Sequence, residues 1–188
     1  GEAPYATLGK DEQGVQRYAQ GLSMASNTQA IDNTTTGYVN KGTVNITGGT
    51  ADSGIAAMNV SYGTIVNEAG ATVTVDNGAA LYGSNGSKIK NTGTITVGGS
   101  GAGIVGVAKG DKPTEYGFDK DNTKQAVDIE NSGTITVNGA KPIGIYALNN
   151  GAVAPRKVTV KNTGKIIALG DNATGILVKG APIPETPA

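Results

Sequence analysis

The chain has 188 residues, fifteen basic and fifteen acidic, with 30 Gly, one Phe and no Trp, His or Cys. A balanced charge without basic patches interleaved with aromatics argues against nucleic acid as a partner, and the missing His and Cys remove the usual zinc sites, histidine-based triads and any disulfide framework. Apolar runs are only a few residues long, too short to span a bilayer, so no direct membrane insertion is expected of this stretch.

Residues 1–20 show no regular pattern, and "GEAPYATLGKDEQG" is not a charged-then-apolar leader, as expected of a cytosolic chain or of an excised mature piece. An incomplete unit follows, with Gly21-Leu22 and Ile31-x-Asn33 as fragments of the frame that organises the rest. Residues 1–37 are therefore expected to form an N-terminal cap and a partial coil, since an open coil leaves core and strand edges uncovered.

From residue 38 the chain repeats itself. The copies are YVNKGTVNITGGTADSGIAAM (38–58), IVNEAGATVTVDNGAALYG (65–83), IKNTGTITVGGSGAGIVGV (89–107), IENSGTITVNGAKPIGIYAL (129–148) and VKNTGKIIALGDNATGILV (160–178). Each reads apolar-x-Asn, a Gly soon after, an alternating strand, a Gly-rich turn and Gly-Ile-x-Ala. The anchors Asn40, Asn67, Asn91, Asn131 and Asn162 fall 27, 24, 40 and 31 residues apart, the long gaps being insertions at 108–126 and 149–157. Three short period-2 segments per repeat of about 24 residues predict three strands per turn of chain, a solenoid of the right-handed parallel β-helix class with five to six coils over 38–180. The Pro-rich tail 181–188 reads as a linker.

Alternation assigns the faces. In the second strand Val44/Ile46, Val73/Val75, Ile95/Val97, Ile135/Val137 and Ile166/Ala168 are expected inside. Thr43/Asn45, Thr72/Thr74, Thr94/Thr96, Thr134/Thr136 and Lys165/Ile167 are expected outside. In the third strand Ile55, Leu81, Ile104, Ile145 and Ile176 point in, followed at the same parity by the small Ala57, Gly83, Gly106 and Ala147 where the triangle narrows. The five anchor asparagines share parity with the apolar residue two before them. They are expected to turn inward and stack as a structural ladder, each amide bonding the turn backbone and the next coil's amide.

Several surface features are candidates for function. Both insertions sit between the third strand of one coil and the first strand of the next, so they should leave from one corner on adjacent coils, and the longer one carries Tyr116 and Phe118 as a candidate contact tip. Tyr82, Val105, Tyr146 and Leu177 form an outward apolar row on the third strand, a second candidate partner-binding feature. The outward Thr-x-Thr pairs make a flat array similar to the ice-binding face of some β-helical antifreeze proteins, interrupted at Asn45 and Lys165. Catalysis finds little to work with. Asp128 and Glu130 share an outward face, but Lys88/Lys90 and Thr159/Lys161 flank them, which reads as a cross-coil charge ladder. "GGSGAG" lacks the acidic residue of a calcium-binding nonapeptide and reads as a turn with positive φ. No catalytic residue, cofactor or metal is expected.

The runs "NTGTITV…GIVG", "NSGTITV…GIYALNNG" and "NTGKIIAL…GILV" resemble the passenger repeats of type V autotransporters, especially large fusobacterial adhesins, across residues 38–180. That resemblance implies a passenger fragment displayed on, or released from, the surface of a Gram-negative-type bacterium. It implies a virulence-related adhesin meeting a host-cell or bacterial surface protein or glycan, with a spacer stalk and a glycan-active β-helix enzyme as the alternatives.

Overall fold

The computed structural model describes residues 7–10, 16–18, 23–25, 37–46, 56–61, 63–109, 126–150 and 157–180. These residues are strands and turns without a helix, and the apolar alternation decides where the strands lie. A short antiparallel pair, β1 (Thr7–Lys10) and β2 (Gln16–Tyr18), comes first. The first parallel sheet is built from β4 (Gly37–Asn40), β7 (Thr64–Asn67), β10 (Lys88–Asn91), β13 (Val127–Asn131) and β16 (Val158–Asn162). The second holds β5 (Thr43–Ile46), β8 (Thr72–Asp76), β11 (Thr94–Gly98), β14 (Thr134–Asn138) and β17 (Lys165–Leu169). The third holds β3 (Ser23–Ala25), β6 (Ala56–Ser61), β9 (Ala79–Ser84), β12 (Ala102–Lys109), β15 (Ile143–Asn150) and β18 (Thr174–Gly180). Because each sheet takes every third strand, the chain winds as a parallel β-helix of three strands per coil and five coils, with β3 supplying the third-sheet place of a further, partial one.

Register follows the repeat. Ile65, Ile89, Ile129 and Val160 face one another along the first sheet, and Val73, Ile95, Ile135 and Ile166 along the second. The interior they fill runs the length of the stack, with Leu81, Ile104 and Ile145 closing it from the third sheet. At roughly 2–3 kcal/mol for each fully buried Ile or Leu, these ladders are the main favourable term.

Two corrections to the alternation come from the third sheet. Met58, not Ile55, stands opposite Leu81, and Val60, not Ala57, stands opposite Gly83, so Ala57 lies three places earlier than the pattern of the other coils assigns it. Between Asp76 and Ala79 only two residues make the corner, whereas nine separate Ile46 from Ala56, so the Gly-Ile match at 54–55 is out of step; Ile55 itself lies outside the described residues. The second correction concerns parity: Ala80 and Leu81 are consecutive yet both belong to the interior cluster, as do Ala57 and Met58. Strict alternation is broken as the chain turns into the third sheet. The first inward place takes only Ala or Gly, because a Cβ on Gly103 would sit 2.6 Å from the Gly144 carbonyl oxygen and 2.8 Å from Ile135 Cγ2. The small residues at the far end are explained in the same way. A Cβ on Gly106 would lie 2.6 Å from Ile129 Cδ1, so the narrowing expected at Gly83, Gly106 and Ala147 is real.

The insertions begin later than the repeat suggests. Ala108 and Lys109 continue β12 and pair with Asn149 and Asn150 of β15, so both insertions leave from matching ends of neighbouring strands, as expected for one corner. Residues 110–125 and 151–156, together with Gly21, Leu22, Ile31, Asn33 and the tail 181–188, lie outside the described residues.

The tightest corner is the one between the first two sheets. A Cβ on Gly133 would fall 2.1 Å from the Gly93 carbonyl oxygen, and one on Gly164 equally close to that of Gly133, while a Cβ on Gly42 meets nothing within 4 Å. The second coil departs from this plan by spending two more residues on the corner. There Gly70 adopts φ +84° and Ala71 takes the buried place. Gly133→Ala is therefore expected to destabilise the protein by about 1–3 kcal/mol through backbone displacement. Gly42→Ala should be neutral or mildly stabilising, and urea unfolding of the two variants side by side measures the contrast.

Candidate functional site

Apolar-x-Asn places the Asn at the last inward position of each first-sheet strand, where the chain must turn and backbone groups lose their strand partners. All five asparagines come together there in one column. Asn40 Nδ2 donates to Asn67 Oδ1, Asn67 to Asn91, Asn91 to Asn131 and Asn131 to Asn162, each at 2.9 Å. Asn67, Asn91 and Asn131 are fully buried. The same amide groups also donate to turn carbonyls. Asn91 Nδ2 reaches Gly93 O at 3.2 Å, and Asn131 Nδ2 reaches Lys165 O in the next coil at 3.3 Å. The backbone joins in, for the Asn91 carbonyl accepts the N–H groups of Ser132 and Gly133, and the Asn131 carbonyl those of Thr163 and Gly164. The ladder is structural and is the expected one.

The column has a direction. The amide N–H2 groups of Asn40, Asn67, Asn91 and Asn131 all point toward the C-terminal end, and at the N-terminal end Asn40 Oδ1 accepts from Gly42 N at 3.1 Å in a local Asx turn.

The outer face of the third sheet carries the apolar row in register: Tyr82 beside Val105, Val105 beside Tyr146, Tyr146 beside Leu177. Its members differ in exposure. Tyr82 is only 7% exposed and packs with Ala56, Ala79 and Val107 in a small cluster separate from the interior, whereas Val105, Tyr146 and Leu177 are half-buried. The open part of the row is therefore its C-terminal three members. A second row was missed in the sequence: Val107 faces Leu148, and both join the Tyr82 cluster. The signal was present in the continued alternation Val105-x-Val107 and Tyr146-x-Leu148, hidden by reading these strands as ending at the small residue. Tyr116 and Phe118 lie outside the described residues.

The other faces are mostly polar, with Val39, Ile167 and Leu169 exposed near their ends. On the second sheet Thr72, Thr94 and Thr134 form one rank and Thr74, Thr96 and Thr136 a second, with Lys165 and Ile167 following. On the first sheet Lys90, Glu130 and Lys161 align, as do Lys88, Asp128 and Thr159, whose hydroxyl donates to the Asp128 carboxylate. Exposed rungs of this kind each contribute tenths of a kcal/mol. In the glycine-rich turn Gly99 adopts φ +63° and Asn77 Oδ1 accepts from Ser100 N at 2.8 Å, so the turn role expected of "GGSGAG" holds. Among the described residues no three acidic side chains gather where they could hold a metal ion, and no helix is long and apolar enough to cross a membrane.

No protein-family model matches this chain, and neither the curated proteins nor the solved structures contain a match. The class of the molecule therefore rests on its own geometry, a parallel β-helix pinned by an asparagine column.

Removing the Asn91 side chain strips Asn67 of an acceptor and Asn131 of a donor inside a fully buried site. Asn91→Ala is expected to lose about 2–4 kcal/mol and Asn162→Ala less than about 1 kcal/mol, since Asn162 is exposed and ends the column. Chemical denaturation of both variants checks the difference.

Proposed function

We propose that this chain is a surface-displayed autotransporter passenger segment acting as an adhesin, its β-helix holding a binding face toward a host-cell or bacterial surface protein or glycan. The fold suits that role, and the repeat resemblance points to it. The observation that carries the proposal is the aligned row Val105, Tyr146 and Leu177, half-buried side chains standing in register on the outside of a sheet. Leu148 adjoins it. Isolated apolar side chains on a surface need no explanation, but a contiguous row with a tyrosine suits a contact surface, where aromatic groups dominate binding energy. The role is non-catalytic in this reading. Turnover of an acidic polysaccharide that disappears on Asp128→Asn would replace it with an enzymatic one.

A spacer function is the second reading, and the burial of Tyr82 favours it, because part of the row is already covered within the chain itself. The two separate cleanly. The isolated chain, screened against host cells, bacteria and a glycan array, binds if it is an adhesin and binds nothing if it is a spacer. For an adhesin, the double variant Tyr146→Ser, Leu177→Ser should weaken that binding roughly tenfold or more while circular dichroism remains that of the folded β-helix. Undiminished binding by the variant would move the contact away from this face.

A further inference from the structure

Asparagine followed by glycine is the pair in which a side-chain amide lies most open to its own backbone, because glycine has no Cβ to shield the following peptide nitrogen and turns freely. The chain holds four such pairs, at 77–78, 85–86, 138–139 and 150–151, the last with its Gly outside the described residues. The coil stack holds two of the other three in place. Asn77 stands at φ +54°, its N–H donates to the Gly98 carbonyl oxygen at 3.1 Å, and its Oδ1 accepts from Ser100 N at 2.8 Å. Gly99 packs so closely on it that a Cβ there would fall 2.2 Å from Asn77 Oδ1. Asn85 is half-buried, and its N–H donates to the Val107 carbonyl oxygen at 3.2 Å. Asn138 is the open one. It ends β14 on the outer side of the second sheet and is exposed, as are Ala140 and Lys141 after it. Its strand neighbours are Gly98, which has no side chain to pack on the amide, and Leu169, which is itself exposed. Neither the Asn138 amide nor the Gly139 N–H has a hydrogen-bond partner among the described residues.

We infer that Asn138 is a self-modification site, where the folded chain converts its own asparagine to aspartate and isoaspartate with water as the only co-reactant. The Gly139 nitrogen, its proton passed to hydroxide, attacks Asn138 Cγ. A new N–C bond closes a succinimide ring as the Cγ–Nδ2 bond breaks, and the departing nitrogen takes up a proton from water and leaves as ammonia. Water then opens the ring at either carbonyl, giving at position 138 an aspartate or, with one more methylene in the main chain, an isoaspartate. One water is consumed and one ammonia released. Attack requires the amide carbon to swing onto the following nitrogen, a movement open to a side chain that nothing holds and closed to one tied as Asn77 is. Both products alter the corner. The Asp76 carboxylate leans over Gly98, 2.7 Å from where a Cβ there would stand, so a new carboxylate at 138 meets a like charge across that glycine. Isoaspartate also lengthens the chain just ahead of Gly139, where a Cβ would already lie 2.2 Å from the Gly99 carbonyl oxygen, so it loosens the turn between β14 and β15.

The three pairs serve as one another's controls in the unaltered chain. Kept folded in mildly alkaline buffer and followed by peptide mapping with mass spectrometry, the full chain should lose the amide at 138 roughly tenfold or more faster than those at 77 and 85. The rate at 138 should climb with pH, since the attacking nitrogen must first lose its proton, and isoaspartate should accumulate at that position. In concentrated urea, where the coil stack no longer holds any of them, the three rates should converge. Loss of the amide at 77 or 85 as fast as at 138 in the folded chain overturns the inference. So does an amide at 138 that persists in the folded chain while it is lost in urea, because the fold would then protect this pair as it protects the others.

Discussion

A side-chain amide can accept on one side and donate on the other, so a column of asparagines is satisfied only when every coil arrives in the same register. The spacing is right for it. Neighbouring strands lie about 4.8 Å apart, and links of 2.9 Å between successive amides fit that rise. A slip of one residue in any first-sheet strand would swing its Asn to the outside, leave two buried amides without partners and turn an Ile outward at the same time. The rest of the molecule depends on this pin. With the first strand fixed, the second begins three residues later in four of the five coils, and its Ile and Val fall onto the ladder already present. The insertions are tolerated because they come after the third strand and before the next pin. Chain length can vary there, and Ile129 and Asn131 restore register as soon as β13 begins.

The same stacking explains the composition. Branched aliphatic side chains fill the interior bounded by the three sheets from the middle of each strand. At Gly103, Gly106 and Gly133 a side chain has no room unless a neighbour moves, as the contacts a Cβ would make there demonstrate. Glycine and alanine are therefore as much part of the core as isoleucine. Since each coil touches only its neighbours, stability accumulates coil by coil, and a coil at an uncovered end holds fewer of its contacts than one inside.

Most of this was legible in the sequence because the Asn pin and the period-2 alternation are both local patterns. The faces of β8, β11 and β14, the charge ladder through Glu130 and the asparagine column all follow from them. Three things were not legible. The pairing of Met58 with Leu81 depends on how much chain the preceding turn uses, and a Gly-Ile match three residues early looked equally good. The paired inward residues such as Ala80 and Leu81 arise from the bend into the third sheet, which strict alternation does not encode. The burial of Tyr82 was likewise beyond a strand pattern, because it depends on what lies over the sheet and not on the strand itself.

A scaffold fixed in this way leaves its outer faces free to differ, and they do. The second sheet presents threonine ranks that repeat unchanged through β8, β11 and β14, as expected of a surface suited to strand formation and solvation, while the outward rank of the first sheet changes from Val39 and Val66 to Lys90, Glu130 and Lys161. The third sheet does not repeat. Its longest strands, β12 and β15, run to Lys109 and Asn150, where the two insertions leave, and carry Val105 and Val107 beside Tyr146 and Leu148 on their outer side. Variation in length and an apolar outer surface thus occur on the same two neighbouring strands. A coil that served only as a spacer has no need of either there. That coincidence is the physical ground for looking to the third sheet, and to the corner beside it, for the proposed contact with a partner.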